Sequence, residues 1–245
     1  LFTNNIPSQL KVKFGKLSKE KLPIWNDVNQ FIADWFFSSD EMVLQTSGST
    51  GTPKSISVKK EWMKNSAQLT GKTFGLIEGD SVLLCMSMKY VAGKMMVVRA
   101  IELGLDLKVA EPSSSPLKDF DGQIDFAAMV PLQLENSIDQ LEKVKILIVG
   151  GGKVNSKLVE KFQGVSTQIY ETYGMTETLT HVAIKALNGP NQSKVFTAFH
   201  GIQFDIDERD CLMVYAPMLN PGSIVTNDIV ELIDEISFRW LGRYD

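Results

Sequence analysis

Apolar and polar positions alternate along the chain in two rhythms, one helical and one extended. Trp25, Val28, Phe31, Ile32, Trp35 and Phe36 recur at helical spacing and predict an amphipathic helix before Asp40. Met42–Thr46 then reads as a strand, and Ile56–Val58 resumes extended structure. Trp62, Met63, Ala67, Thr70 and Phe74 share a helical period over Lys60–Phe74. Next come a strand at Ser81–Met86, a helix over Ala92–Leu103 closed by Gly104, and strands at Leu105–Ala110 and Phe126–Val130. Pro131 can open the following helix, to Leu141, because its missing N–H costs nothing in a first turn. A buried strand at Lys145–Val149, a helix at Val154–Phe162 and a strand at Thr167–Tyr173 continue the series. Repeated βα units predict an α/β fold: a mostly parallel sheet with helices on both faces.

The rhythm changes after about Ala186. Asn188-Gly189-Pro190-Asn191 marks a turn. Ile202–Asp207 and Cys211–Tyr215 flank the polar turn Glu208-Arg209-Asp210, and Ser223–Thr226, Ile229–Ile233 and Ser237–Leu241 read as further short strands. The expected division is an α/β core over 1–187 and a small β subdomain over 188–245.

Composition narrows the function classes. The chain has 245 residues, 44% hydrophobic and 22% charged, and a net charge of -4, which disfavours a nucleic-acid binder. Its cysteines, Cys85 and Cys211, form no CxxC pair and lie near no His at metal-ligand spacing. A disulfide scaffold and a zinc site are disfavoured, and a reducing, cytoplasmic setting is expected. The start, Leu1-Phe2-Thr3, has neither a signal-peptide pattern nor an initiator Met, which suggests a missing or processed N-terminal piece. No window approaches the roughly 18 apolar residues of a membrane span.

Chemistry concentrates at the ends of predicted strands. Thr46-Ser47-Gly48-Ser49-Thr50-Gly51-Thr52-Pro53-Lys54 combines glycines, which let backbone N–H groups approach an anion, with hydroxyl donors and the point charge of Lys54. That composition suits nucleotide phosphates, although Pro53 before the lysine departs from the Walker spacing. Tyr173-Gly174-Met175-Thr176-Glu177 follows a strand and is expected to open a helix at the sheet's carboxyl edge. Tyr173 offers a flat face to a base, Thr176 a hydroxyl to a phosphate, and Glu177 a hard oxygen to Mg²⁺. Gly150, Gly151 and Gly152 also end a strand and permit close approach, whether by a planar base or by another part of the backbone. Asp228 and Arg243 are polar residues beside apolar strands.

Taken in order, these pieces resemble the AMP-forming acyl-CoA synthetases, the family that includes adenylation domains and luciferases. The resemblance runs from about residue 40 to the last residue. It implies ATP, Mg²⁺ and CoA as the small molecules used, with a carboxylic acid as the partner substrate. Thr46, Ser47, Gly48, Ser49, Thr50, Gly51 and Lys54 would hold the β- and γ-phosphates. Gly150, Gly151 and Gly152 would flank the adenine, with Glu171, Thr172 and Tyr173 as its other wall. Thr176 would touch the α-phosphate and Glu177 the Mg²⁺. Asp228 would bind the ribose hydroxyls with help from Arg243, and Asp245 would be the hinge of the family's C-terminal lid.

Three departures qualify the resemblance. Thr226-Asn227-Asp228 stands where the family usually has Thr-Gly-Asp, with the carboxylate kept. Ser87-Met88-Lys89-Tyr90 replaces the usual Phe-His gate. The chain stops at Asp245, so the lid domain and its lysine are expected to lie outside it and the chain alone to be impaired. The 45 residues before the loop are fewer than the family's usual hundred or more; this layout looks like the short o-succinylbenzoate–CoA ligases of menaquinone synthesis. Such an acid carries a second carboxylate, for which Lys89, Tyr90 and His181 are the candidate contacts; His181, four residues after Glu177, would share its face of a helix. A non-catalytic adenylate-binding module and a ligase for another acid are the alternatives. Oligomeric state is left open, a homo-oligomer included.

Overall fold

The computed structural model describes residues 12–14, 23–45, 55–118 and 120–244. In chain order the elements are β1 (Val12–Phe14), α1 (Ile24–Phe37), β2 (Glu41–Gln45), β3 (Ser55–Lys59), α2 (Lys60–Phe74), β4 (Ser81–Leu84), α3 (Val91–Leu103) and β5 (Asp106–Val109). They continue with β6 (Ile124–Met129), α4 (Pro131–Glu135), β7 (Val144–Val149), α5 (Ser156–Lys161), β8 (Gln168–Gly174) and β9 (His181–Ala186). The last strands are β10 (Phe196–Ala198), β11 (Gln203–Ile206), β12 (Cys211–Tyr215), β13 (Ser223–Asp234) and β14 (Ser237–Arg243).

One 12-stranded sheet carries the fold, in the order β1-β5-β4-β6-β7-β8-β9-β10-β14-β13-β12-β11, and β2 pairs only with β3. The α/β class and the helices on both faces are as expected. The expected mostly parallel sheet is not. Parallel pairing holds from β1 to β8, and every later pairing is antiparallel. The sheet is therefore mixed and mostly antiparallel. The reason is β9, which the sequence reading missed: it turns straight back on β8 with no crossover helix, and hairpin-connected strands must run antiparallel. Strands β10 to β14 follow it into the same sheet.

Strands β4, β6 and β7 of the parallel half are buried on both faces, which explains their continuous apolar runs. Val82 and Leu84 point into a core shared with α1, α2 and α3, while Leu83 and Cys85 point into a second core with α4 and α5. Phe126 and Ala127, then Ile146 and Leu147, alternate between the cores in the same way. Gly104 ends α3 in the left-handed region at φ 67°, as its position predicts. The helix expected from Pro131 to Leu141 is broken: α4 stops at Glu135, and a 3₁₀ segment covers Ile138–Lys143. The strands expected at Ser223–Thr226 and Ile229–Ile233 are one bulged strand, β13.

Candidate functional site

Strand β8 lies where the sheet changes direction, parallel to β7 and antiparallel to β9. Near its end, Tyr173 donates its hydroxyl hydrogen to Asp228 Oδ2 at 2.6 Å. Burial and the Asp228 carboxylate push the Tyr173 phenol far above its usual range, so it stays a donor at every working pH. Asp228 sits on β13 opposite Arg243 on β14, whose guanidinium lies 3.6 Å from Oδ1. Trp240 Nε1 donates to the same Oδ1 at 3.2 Å, and the Asp228 N–H is held by Thr226 Oγ1 at 3.0 Å. Asp228 is buried, and this ring of donors satisfies its carboxylate oxygens. The fold thus joins Tyr173, Asp228 and Arg243, which the sequence separates widely.

Beyond Tyr173 the chain does not open the expected helix. Thr176–Thr178 forms a single 3₁₀ turn, Leu179 adopts φ 67°, and β9 begins at His181. Thr178 Oγ1 explains the turn: it accepts from Met175 N–H at 2.9 Å and lies 2.7 Å from the Thr180 carbonyl. A buried leucine in the left-handed region is strained backbone, held by this clamp and by the β8–β9 pairing. The turn buries Thr176 and leaves Glu177 exposed.

The Gly150–Gly152 segment leaves β7 alongside Thr172 of β8. A Cβ at Gly150 would lie 2.6 Å from Thr172 Oγ1, so that hydroxyl would have to move, and Gly151 has φ +76°. Glu171 is buried and turned inward: Oε1 accepts from Val154 N–H at 3.2 Å, and Lys185 Nζ lies 2.9 Å from Oε2 as an ion-pair contact outside directed hydrogen-bond geometry.

His181 does not share a helix face with Glu177, because it opens β9. Its Nε2 lies 3.0 Å from Thr70 Oγ1. Beside it, Arg99 is fully buried, and its guanidinium donates to Thr70 Oγ1 and Thr180 Oγ1, each at 3.2 Å. Among the described residues no carboxylate pairs with Arg99. Burial presses it down to about 9, which still leaves it charged at neutral pH.

Burial first, and Arg99 second, hold the His181 imidazole well below its usual range, so the folded protein keeps it neutral. The unfolded chain takes up that proton near pH 6.5. This contribution to stability is complete above about pH 6.5 and is lost as pH falls toward the folded value, by about 1.4 kcal/mol per pH unit. Denaturant melts across that range are expected to show the slope in wild type and a flatter one in His181→Gln. Identical slopes would overturn the assignment.

Lys89 and Tyr90 are exposed, whereas His181 is buried. Lys89 lines a cavity of about 560 Å³ with Phe31, Met42, Val43, Met88 and Lys94, and the wall includes none of His181, Tyr173 or Asp228. Thr46–Lys54 and Asp245 lie outside the described residues; Gln45 and Ser55, on either side of the loop in sequence, pair across β2 and β3. Three residues escaped the sequence reading: Trp240, Thr178 and Arg99. Only Arg99 left a signal, a charge inside the apolar run Met95-Met96-Val97-Val98-Arg99-Ala100.

Residues 21–226 match the family model of AMP-binding enzymes. An AMP-forming acyl-CoA synthetase/AMP-acid ligase II-like protein from Dyadobacter fermentans superposes with a TM-score of 0.84 at 39% identity, over 94% of this chain and 67% of that one. The 2-succinylbenzoate–CoA ligase of Lactococcus lactis is 26% identical over 176 residues, which is 69% of this chain but 39% of that enzyme. The o-succinylbenzoate coenzyme A synthetase of Bacillus subtilis, solved with ATP and magnesium, has the same fold, with a TM-score of 0.69 at 18% identity over 82% of this chain and 49% of that one. The chain thus spans well under half the length of the first two curated relatives it matches, 39% and 34%.

Proposed function

The chain belongs to the family of AMP-binding enzymes, and on that premise we propose that it forms the nucleotide- and acid-binding part of an acid–CoA ligase. A substrate carboxylate attacks the α-phosphorus of ATP, pyrophosphate leaves, and the acyl-adenylate then passes its acyl group to the thiol of CoA. Such a reaction asks the protein mainly for positioning and charge neutralisation. The observation that carries the reading is the buried Asp228 carboxylate, fixed by donors and suited to a vicinal pair of ribose hydroxyls.

The remaining roles follow the strand ends. Gly150, Gly151 and Gly152 take one side of the adenine, and Thr172 and Tyr173 the other. Glu171 contributes backbone there, because its carboxylate is engaged by Val154 and Lys185. Thr176 meets the α-phosphate, Thr46–Lys54 the departing phosphates, and Asp245 serves as hinge. Mg²⁺, when bound, neutralises phosphate charge. The described residues hold no cluster of three or more metal-ligating groups. The exposed Glu177 fits the ion nonetheless, since Mg²⁺ commonly takes one or two carboxylates and fills its shell with phosphate and water. Residues 1–187 would form the core and 188–245 the β portion ending at the hinge. Among the described residues no helix is long and apolar enough to cross a membrane, and a cytoplasmic setting belongs to this proposal.

For the acid we propose o-succinylbenzoate. Arg99 supports this: a buried guanidinium answered only by hydroxyls among the described residues suits a substrate's second carboxylate, with the neutral His181 alongside. Lys89 and Tyr90 are proposed at the acid's entrance. The test is a screen of carboxylic acids for pyrophosphate release by the full-length enzyme. We expect AMP and pyrophosphate as products and o-succinylbenzoate as the best acid. Arg99→Met is expected to raise KM for that acid at least about tenfold while leaving folding stability equal or higher, since it removes a buried charge that no carboxylate among the described residues answers. Release of ADP would overturn the reaction class; an unchanged KM would overturn the role of Arg99.

A further inference from the structure

Asp228 is held by one donor whose presence on its side of the sheet depends on a bulge. Trp240 and Arg243 lie three positions apart on β14, and in a regular strand they would face opposite sides. Asp228 pairs with Arg243 and Ile229 with Gly242, but Val230 pairs with Trp240, so Leu241 is an extra residue. That insertion restores Trp240 to the face of Asp228 and Val230. There its Nε1 donates to Oδ1 at 3.2 Å, while Tyr173 holds Oδ2 at 2.6 Å. Arg243 lies 3.6 Å from the same Oδ1 as an ion-pair contact, longer than the indole's hydrogen bond. The outer face of the ring is covered by Lys153, whose Nζ lies 5.2 Å from the centroid and which directly follows Gly152.

We propose that Trp240 is a positioning residue that sets the nucleotide site's preference for ribose over 2′-deoxyribose. Two donors on opposite oxygens stop the Asp228 carboxylate from rotating, and only a fixed carboxylate can meet both hydroxyls of a ribose at once. With the indole donor gone, Oδ1 keeps the longer ion-pair contact of Arg243, and Asp228 turns more readily about its hydrogen bond to Tyr173 and meets one hydroxyl at a time. The 2′-hydroxyl then adds less to binding.

This inference rests on the reading of Asp228 as the ribose ligand, and the experiment separates the two. Affinities for ATP and 2′-deoxy-ATP are measured by calorimetry for wild type, Trp240→Phe and Lys153→Met. Wild type is expected to prefer ATP by about tenfold or more, the usual size of a hydrogen bond to a charged group. Trp240→Phe keeps the ring and loses the donor; it is expected to reduce that preference to about threefold or less, with its melting temperature unchanged. Lys153→Met keeps the donor and is expected to keep the preference. If Trp240→Phe does not fold, Trp240→His, which retains an N–H donor, is expected to retain the preference, and its loss there would count against the proposal. Wild type without a preference overturns the ribose reading itself. A wild-type preference that survives intact in Trp240→Phe overturns the role of Trp240.

Discussion

Gly174→Ala is expected to abolish nucleotide binding and to lower stability by about 3 kcal/mol or more, a drop of several degrees in melting temperature. A Cβ at this position would lie 1.7 Å from the Thr180 carbonyl oxygen, 2.4 Å from its carbon and 2.5 Å from His181 Cα. All three are backbone atoms, so no side chain can swing aside. Relief would require β8 and β9 to separate where Gly174 pairs with His181, beside a register shift. That movement would displace Thr176 and Glu177 and pull on Tyr173, the donor to Asp228. Gly222→Ala is the control, because a Cβ there meets Asn220 Oδ1 at an ordinary 3.7 Å. Thermal melts and ATP titrations on both variants decide it. A Gly174→Ala protein with wild-type stability and affinity would show that the β8–β9 contact is not as close as described.

Asp228→Ala is expected to weaken ATP binding by about a hundredfold or more, the combined effect of two hydrogen bonds to a charged acceptor. It would also leave the Tyr173 hydroxyl, buried and pressed among Phe196 and Phe238, without its acceptor. A lost partner of that kind costs about 1–3 kcal/mol, so stability should fall as well. Asp228→Asn keeps the shape and one acceptor oxygen but loses the charge facing Arg243; an intermediate loss of affinity is expected. Calorimetric titration with ATP reads the effect directly. An Asp228→Ala affinity within about threefold of wild type would remove this residue from the ribose site.

Local sequence reported faithfully wherever local physics decides. The helices α1, α2 and α3 follow from apolar spacing, and Gly104 ends α3 because a left-handed cap suits a residue without a Cβ. The buried strands β4, β6 and β7 announce themselves as short apolar runs. Sequence failed where a contact distant in the chain overrides the local pattern. Thr176-Glu177-Thr178 has the composition of a helix start, yet the Thr178 hydroxyl and the pairing of β9 on β8 hold it to one turn. The same event moved His181 off the expected helix, and with it the premise that it shares a face with Glu177.

The candidate site divides along the same line. Sequence alone determined which chemical groups are available: the hydroxyl- and glycine-rich Thr46–Lys54, the Tyr173–Glu177 segment, Asp228 and Arg243. Those groups are legible because residue type sets what a side chain can donate, accept or carry as charge. Only the tertiary structure decided which of them meet. It brought Tyr173 to Asp228, used an extra residue on β14 to add Trp240, buried Arg99 between Thr70 and Thr180, and left His181 out of the cavity that Lys89 lines. The reason is that register, bulges and strand direction are settled by pairing between segments far apart in the chain, and no single segment contains its partner.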